Sequence, residues 1–253
     1  MTFGRLRCPL LFQYTLEGQP LERVFSIKDL GVTFSADLSF HEHVYDLCKR
    51  SHRLLGYIFR STRGMTSPVV LKTLYSSFVR QLLEYASPVW SPYQVGLTDE
   101  LDAVQRKFLR LVGVRQGLRW TEVPLADLQA DLHLHDLQVR REVADVVFLV
   151  KLINGLLDCP MLLTHVDFRT PSVTRSLDLF GRRHHARGYD FHSPLARMMR
   201  LGHRFCHTVD FFHENTSSVV DSVGNAMGFG SKAAMPWAEI LVPAATFISS
   251  VSE

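Results

Sequence analysis

Between residues 10 and 34 short apolar runs are broken by turn residues, and from His41 onward apolar positions recur at helical spacing instead. The runs LLFQYTL, LERVFSI and LGVTF, with a turn at Glu17-Gly18 after the first, predict a β-hairpin and a third strand. That is too little sheet to stand alone. From His41 to Ser61, Val44, Leu47, Cys48, Leu54, Leu55 and Ile58 keep the spacing of a buried helical face. Ser67 and Pro68 supply the N-cap and first-turn residues of the next helix. Its apolar positions Val70, Leu71, Leu74, Phe78, Leu82 and Tyr85 lie on several sides, which predicts a central helix with Leu74 and Phe78 in the core. Trp90, in an extended loop between Pro88 and Pro92, is assigned to the core rather than to base stacking. Thr98, followed by Asp99 and Glu100, starts a helix with Leu101, Val104, Phe108 and Leu111 as its buried stripe, and Gly113 ends it. Pro124 opens a further helix, and a longer one runs from about Leu134 to Asn154-Gly155.

The fold class these elements predict is mainly α. A small N-terminal β-hairpin occupies 1–35, a helical bundle 36–118 and a second helical region 119–213. Residues 214–253 are small, little charged and without clear period, and are expected to lack stable order.

A chain of 253 residues with 46% hydrophobic content can fill one or two cores. No apolar run reaches the ~18 residues a membrane span needs, and no small-residue cleavage site follows the basic start MTFGRLRCPLLF. Neither a membrane anchor nor a signal peptide is therefore expected. Cys8, Cys48, Cys159 and Cys206 show no CxxC spacing, which suits buried thiols in a reducing compartment, so an intracellular protein of cytoplasm or nucleus is expected.

Charge changes the picture more. The net charge is only +3, but 22 of the 28 basic residues are Arg, and Arg169 to Arg204 holds eight Arg against two acids. The planar guanidinium fork fits phosphate, which suits nucleic acid; a solvated surface accounts for the same composition. Lys49, Arg53 and Arg60 share a second face of the 41–61 helix, while Arg106, Lys107 and Arg110 lie off the buried stripe of the helix that follows Thr98. Either set has the spacing to follow phosphates or to form an ordinary exposed face.

Other chemistry finds no support. His41 and His43, His133 and His135, and His184-His185 with nearby His192 lack the i, i+4 or paired Cys/His spacing of zinc ligands. No GxSxG elbow, P-loop, GxGxxG or Asp-Asp pair occurs, so no autonomous enzyme, cofactor or small-molecule substrate is expected.

Three segments in order, SIKDLGVTF (Ser26 to Phe34), LLEYASPVWSPY (Leu82 to Tyr93) and LDAVQRKFLRLVG (Leu101 to Gly113), carry a resemblance. They resemble the region after the catalytic palm in reverse transcriptases of non-LTR retrotransposons, most closely the jockey-like group with its KxLG turn, LxYxSxVWxP and VQRxFxR segments. RREVADVVFLVKLINGLLDCP, RTPSVTRSLDLF and SPLARMMR resemble the C-terminal region of the same group, so the likeness covers residues 1 to about 213.

The resemblance implies a palm-end hairpin with Lys28 and Gly31 in a primer grip, and a thumb-like bundle along the primer–template duplex. Lys49, Arg53, Arg60, Arg106, Lys107 and Arg110 would then meet phosphates, and Arg182, Arg183 and Arg187 would add contacts from the Arg-rich C-terminal region. The parent protein would be an RNA-directed DNA polymerase using Mg2+ held by paired aspartates, which this chain lacks. The chain is thus expected to be a back part without the chemistry. It is expected to bind an RNA/DNA primer–template duplex and to give no primer extension alone. Met1 aligns within the family's MxFxR segment, so the start is expected to be accidental. The alternative expectation is a degenerate or domesticated helical interaction module without a nucleic-acid role.

Overall fold

In the computed structural model, which describes residues 1, 3–5, 12–169, 179–181, 188–212 and 216–227, helices carry the fold and strand is confined to two small hairpins. β1 (Thr15–Leu16) pairs with β2 (Gln19–Pro20), and β3 (Ser26–Asp29) pairs with β4 (Val32–Ser35), each antiparallel and each a separate two-stranded sheet. The expected hairpin with one added strand is therefore two independent hairpins. Both turns are two residues long with positive φ throughout, 51° and 79° at Glu17-Gly18 and 41° and 87° at Leu30-Gly31. This geometry matches the twist of an antiparallel pair and explains the glycine in second place.

Helix α1 (His41–Ser61) buries His43, Val44, Leu47, Cys48, Ser51, Leu55, Ile58 and Phe59. Next, α2 (Pro68–Leu74), a π-helical turn (Tyr75–Arg80) and α3 (Gln81–Glu84) follow without a break. The π turn changes which residues face inward. Leu71, Tyr75, Val79 and Leu83 are fully buried, whereas Phe78 is 56% exposed and Leu74 only half-buried. A turn wider than 3.6 residues keeps a strict every-fourth stripe on one side, and it turns Phe78 outward. The expectation of Phe78 in the core is corrected on that ground.

Trp90 is buried, as expected, and its indole nitrogen donates to the Tyr85 carbonyl at 2.7 Å. The segment around it forms a helical turn, α4 (Ser87–Trp90), not an extended loop. Helix α5 (Val95–Arg115) begins earlier and ends later than its sequence signals suggest. Thr98 lies in its first turn and donates its hydroxyl to the Val95 carbonyl at 2.8 Å. Gly113 is interior, placed so that a Cβ would lie 2.6 Å from a Val123 methyl; Gly117, with φ of 94°, follows the true end. That glycine serves close approach and not helix termination.

After α6 (Leu125–Asp131) comes α7 (Leu137–Ile153), buried on nearly every side. One hydrophobic cluster runs from Val32 to Leu137, and a second from Val143 to Val223. The two therefore share α7. The second cluster is completed by α8 (Pro160–Leu163), α10 (Pro194–Phe205) and α11 (Thr216–Ala226), while the short α9 (Gly188–Phe191) packs on α10. Helix α11 falls within the stretch expected to lack order, yet it buries Val219, Val220 and Val223 against α7.

Ion pairs lock the centre of the molecule. Arg140 donates from both Nε and Nη2 to the Glu84 carboxylate, the second bond at 2.8 Å, and Arg80 lies 3.9 Å from the same group. Arg197 on α10 binds the Asp145 carboxylate twice, at 2.7 and 3.1 Å, and donates to the Pro88 and Ser91 carbonyls. Thus α10 is clamped to both α7 and α4.

Candidate nucleic-acid interface

Lys28 and Gly31 stand on the β3–β4 hairpin, both exposed. The Tyr85 hydroxyl donates to the Leu30 carbonyl at 3.0 Å, and its ring lies 3.4 Å from where a Gly31 Cβ would stand. Two of the three resembling segments therefore touch: the tyrosine after α3 holds the KDLG turn against the helical body. At the base of the same hairpin the Thr33 amide donates to Nδ1 of buried His43, 3.2 Å away. Burial, with Arg50 and Lys28 nearby, pushes the His43 imidazole down to about 4, so it is neutral at pH 7.

Lys49, Arg53 and Arg60 are all exposed on α1, with Lys49 5.7 Å from the centre of the Tyr45 ring. On α5, Arg106 is exposed and donates to the Asp99 carbonyl, while Lys107 and Arg110 are half-buried. The two helices run side by side in the same direction. Glu100 acts on the Cys48 thiol, Lys107 on the His52 imidazole, and Arg115 binds the Phe59 carbonyl at 2.7 Å. Burial and then the Lys107 charge hold His52 below its ordinary pKa. Parallel packing thus sets Lys107 on the seam between the helices, beside the cationic outer face of α1.

Arg115 itself turns inward. It donates to the carbonyls of Phe59, Thr62 and Met65, filling the acceptors that α1 leaves open at its C-terminal end. Arg60 in the last turn of α1, Arg63 just beyond it, Arg110 on α5 and Arg119 just beyond α5 are thereby brought toward one end of the pair. Arg182, Arg183 and Arg187 lie outside the described residues.

The sequence pattern did not single out Trp120 or Arg119. Trp120 is 43% exposed, with the Arg110 guanidinium 5.6 Å from its ring centre. The signal was present as an aromatic flanked by cations and free of acids from Arg110 to Thr121. On the opposite flank, Trp90, Pro92 and Tyr93 line a cleft of about 550 Å³ with Phe34, Phe40 and His192. There the Tyr93 and His192 rings stack 4.0 Å apart. Among the described residues no group of three His, Cys, Asp or Glu is placed to hold a metal ion, and no helix is long and apolar enough to cross a membrane. Cys48, Cys159 and Cys206 form no disulfide with one another, and the Cys206 thiol donates to the His203 carbonyl at 3.1 Å; of the three Cys48 alone is buried, and burial pushes it up to about 11.

No family model, curated protein or solved structure matches the chain.

Proposed function

We propose that this chain grips a primer–template duplex as the thumb-side part of a non-LTR retrotransposon reverse transcriptase, and that the chemistry belongs to a palm it does not contain. The observation that carries the reading is the order of the three resembling segments together with the contact between two of them, Tyr85 on the Leu30-Gly31 turn. A turn meant to press on a nucleic-acid end needs to be held from behind, and that contact holds it. Further support comes from the cations of α1 and α5, which stand on neighbouring parallel helices. A cation that neutralises a phosphate releases counterions, so binding of this kind weakens linearly in the logarithm of salt.

Titration of a labelled RNA/DNA hybrid duplex with the purified chain over a range of salt tests the reading. Weak, sequence-independent binding with a steep slope is expected. The Arg106→Ala/Arg110→Ala chain should bind more weakly with a slope smaller by about 2, near 0.9 for each lost contact. An unchanged slope would remove α5 from the interface. One observation favours the helical interaction module instead: Val69, Val70 and Phe78 are all exposed along the α2–π segment. That reading expects no salt-dependent binding to duplex.

A further inference from the structure

We propose that Trp120 is a stacking platform for an unpaired base, so that the end of α5 binds the single-stranded extension of a duplex. This rests on the reading above and adds to it a ligand class and a residue.

Tryptophan gains more than most side chains from burial, yet this one leaves 43% of itself in solvent on a segment that is not loose. The backbone around it is closed by hydrogen bonds from Gln116 to Val112, Leu118 to Gly113 and Glu122 to Arg119, at 3.1, 3.1 and 2.9 Å. Gly113 sits against Val123, and Arg115 ties the same end of α5 to the end of α1. The indole is therefore presented on a fixed frame, which limits the ordering cost of binding.

Its surroundings suit one partner chemistry. Arg110 lies over the ring, and Arg119 is adjacent in sequence. The acid closest in sequence, Glu122, is paired with Arg119 at 3.7 Å on the open surface, a contact that contributes little. A flat aromatic face with one guanidinium over it and a second cation next in the chain can stack a base and hold its phosphate, and every base offers a π face whatever its identity. A duplex keeps its bases stacked inside and offers none for this purpose, so the platform selects unpaired nucleotides.

The experiment measures anisotropy of a blunt RNA/DNA hybrid and of the same hybrid carrying a short single-stranded extension, at fixed salt. Wild-type chain is expected to bind the extended hybrid more tightly, with quenching of tryptophan fluorescence. Trp120→Ala should weaken the extended hybrid by about 5- to 150-fold and leave the blunt hybrid and the salt slope unchanged. Trp120→Phe should keep most of the affinity, which separates stacking from damage to the fold, and its urea midpoint should match the wild type. If Trp120→Ala binds the extended hybrid as tightly as wild type, the platform is refuted while duplex gripping stands. If wild type binds neither hybrid, both fall together.

Discussion

Tyr75 stacks on Phe108 with ring centres 4.2 Å apart, and its hydroxyl donates to Gln105, which in turn donates to the His135 carbonyl. Three residues on, Phe78 touches solvent over more than half its surface. Tyr75→Ala therefore removes a packed ring and orphans a buried amide, and a loss of about 3–5 kcal/mol is expected, against less than about 1 kcal/mol for Phe78→Ala. Urea midpoints of the two variants decide it, and equal losses would mean that the π turn is misplaced. His43 gives a second prediction. The unfolded chain takes up its proton near 6.5 and the folded chain only near 4. Between those values the unfolded state binds more protons, so stability is full above 6.5 and declines as pH falls toward 4. His43→Asn keeps an acceptor for the Thr33 amide but cannot titrate. Its urea midpoint should fall less than that of wild type between pH 7 and pH 5; a parallel fall would place the sensitivity in other groups.

At the scale of elements, the helices were legible because most of them float a polar face on water and an apolar one on the core. Where that contrast fails, so does the reading. Glu84, Arg140 and Arg141 are buried charges, and a polar letter in the sequence looks the same whether it faces solvent or an ion pair. Period 3.6 likewise cannot announce a π turn, since one surplus residue shifts the stripe without altering its composition. Gly113 looks like a terminator in the sequence because its closeness to Val123 depends on the next segment folding back. The central pair supplies the test. Glu84→Ala leaves Arg140 buried without its carboxylate, and a loss of about 3–5 kcal/mol is expected. Glu84→Leu with Arg140→Met should recover most of that, because the pair's own desolvation cost disappears too. A double variant as unstable as the single one would show that shape, and not charge, governs the site.

Across the whole molecule, the mainly helical class and the cationic faces of α1 and α5 could be read from spacing alone. The embrace of α7 by two hydrophobic clusters could not, because it depends on contacts such as α10 and α11 with α7 that join distant parts of the chain. Helix α11 escaped notice for the same reason: its buried stripe is three valines among small polar residues, too faint without its partner. Trp120 escaped because only the folded α5 end sets Arg110 over its ring. A shared helix ties the stability of the two clusters together. Val219→Asp places a charge in the second cluster, and a loss of about 3 kcal/mol is expected. It should also lower the midpoint reported by Trp90 fluorescence in the first cluster, measured with Trp120 and Trp237 changed to Phe. A Trp90 transition left where it was would mean that the clusters melt separately.

That shared helix also bears on how the chain is made. The first cluster has all its residues once Leu137 has emerged from the ribosome, but Val143 to Leu152 wait for α10 and then α11 to be synthesised. At about 5–20 residues per second the wait lasts several seconds. Through that interval the newborn protein holds a finished N-terminal core beside a bare row of valines and leucines, with its shield still inside the exit tunnel.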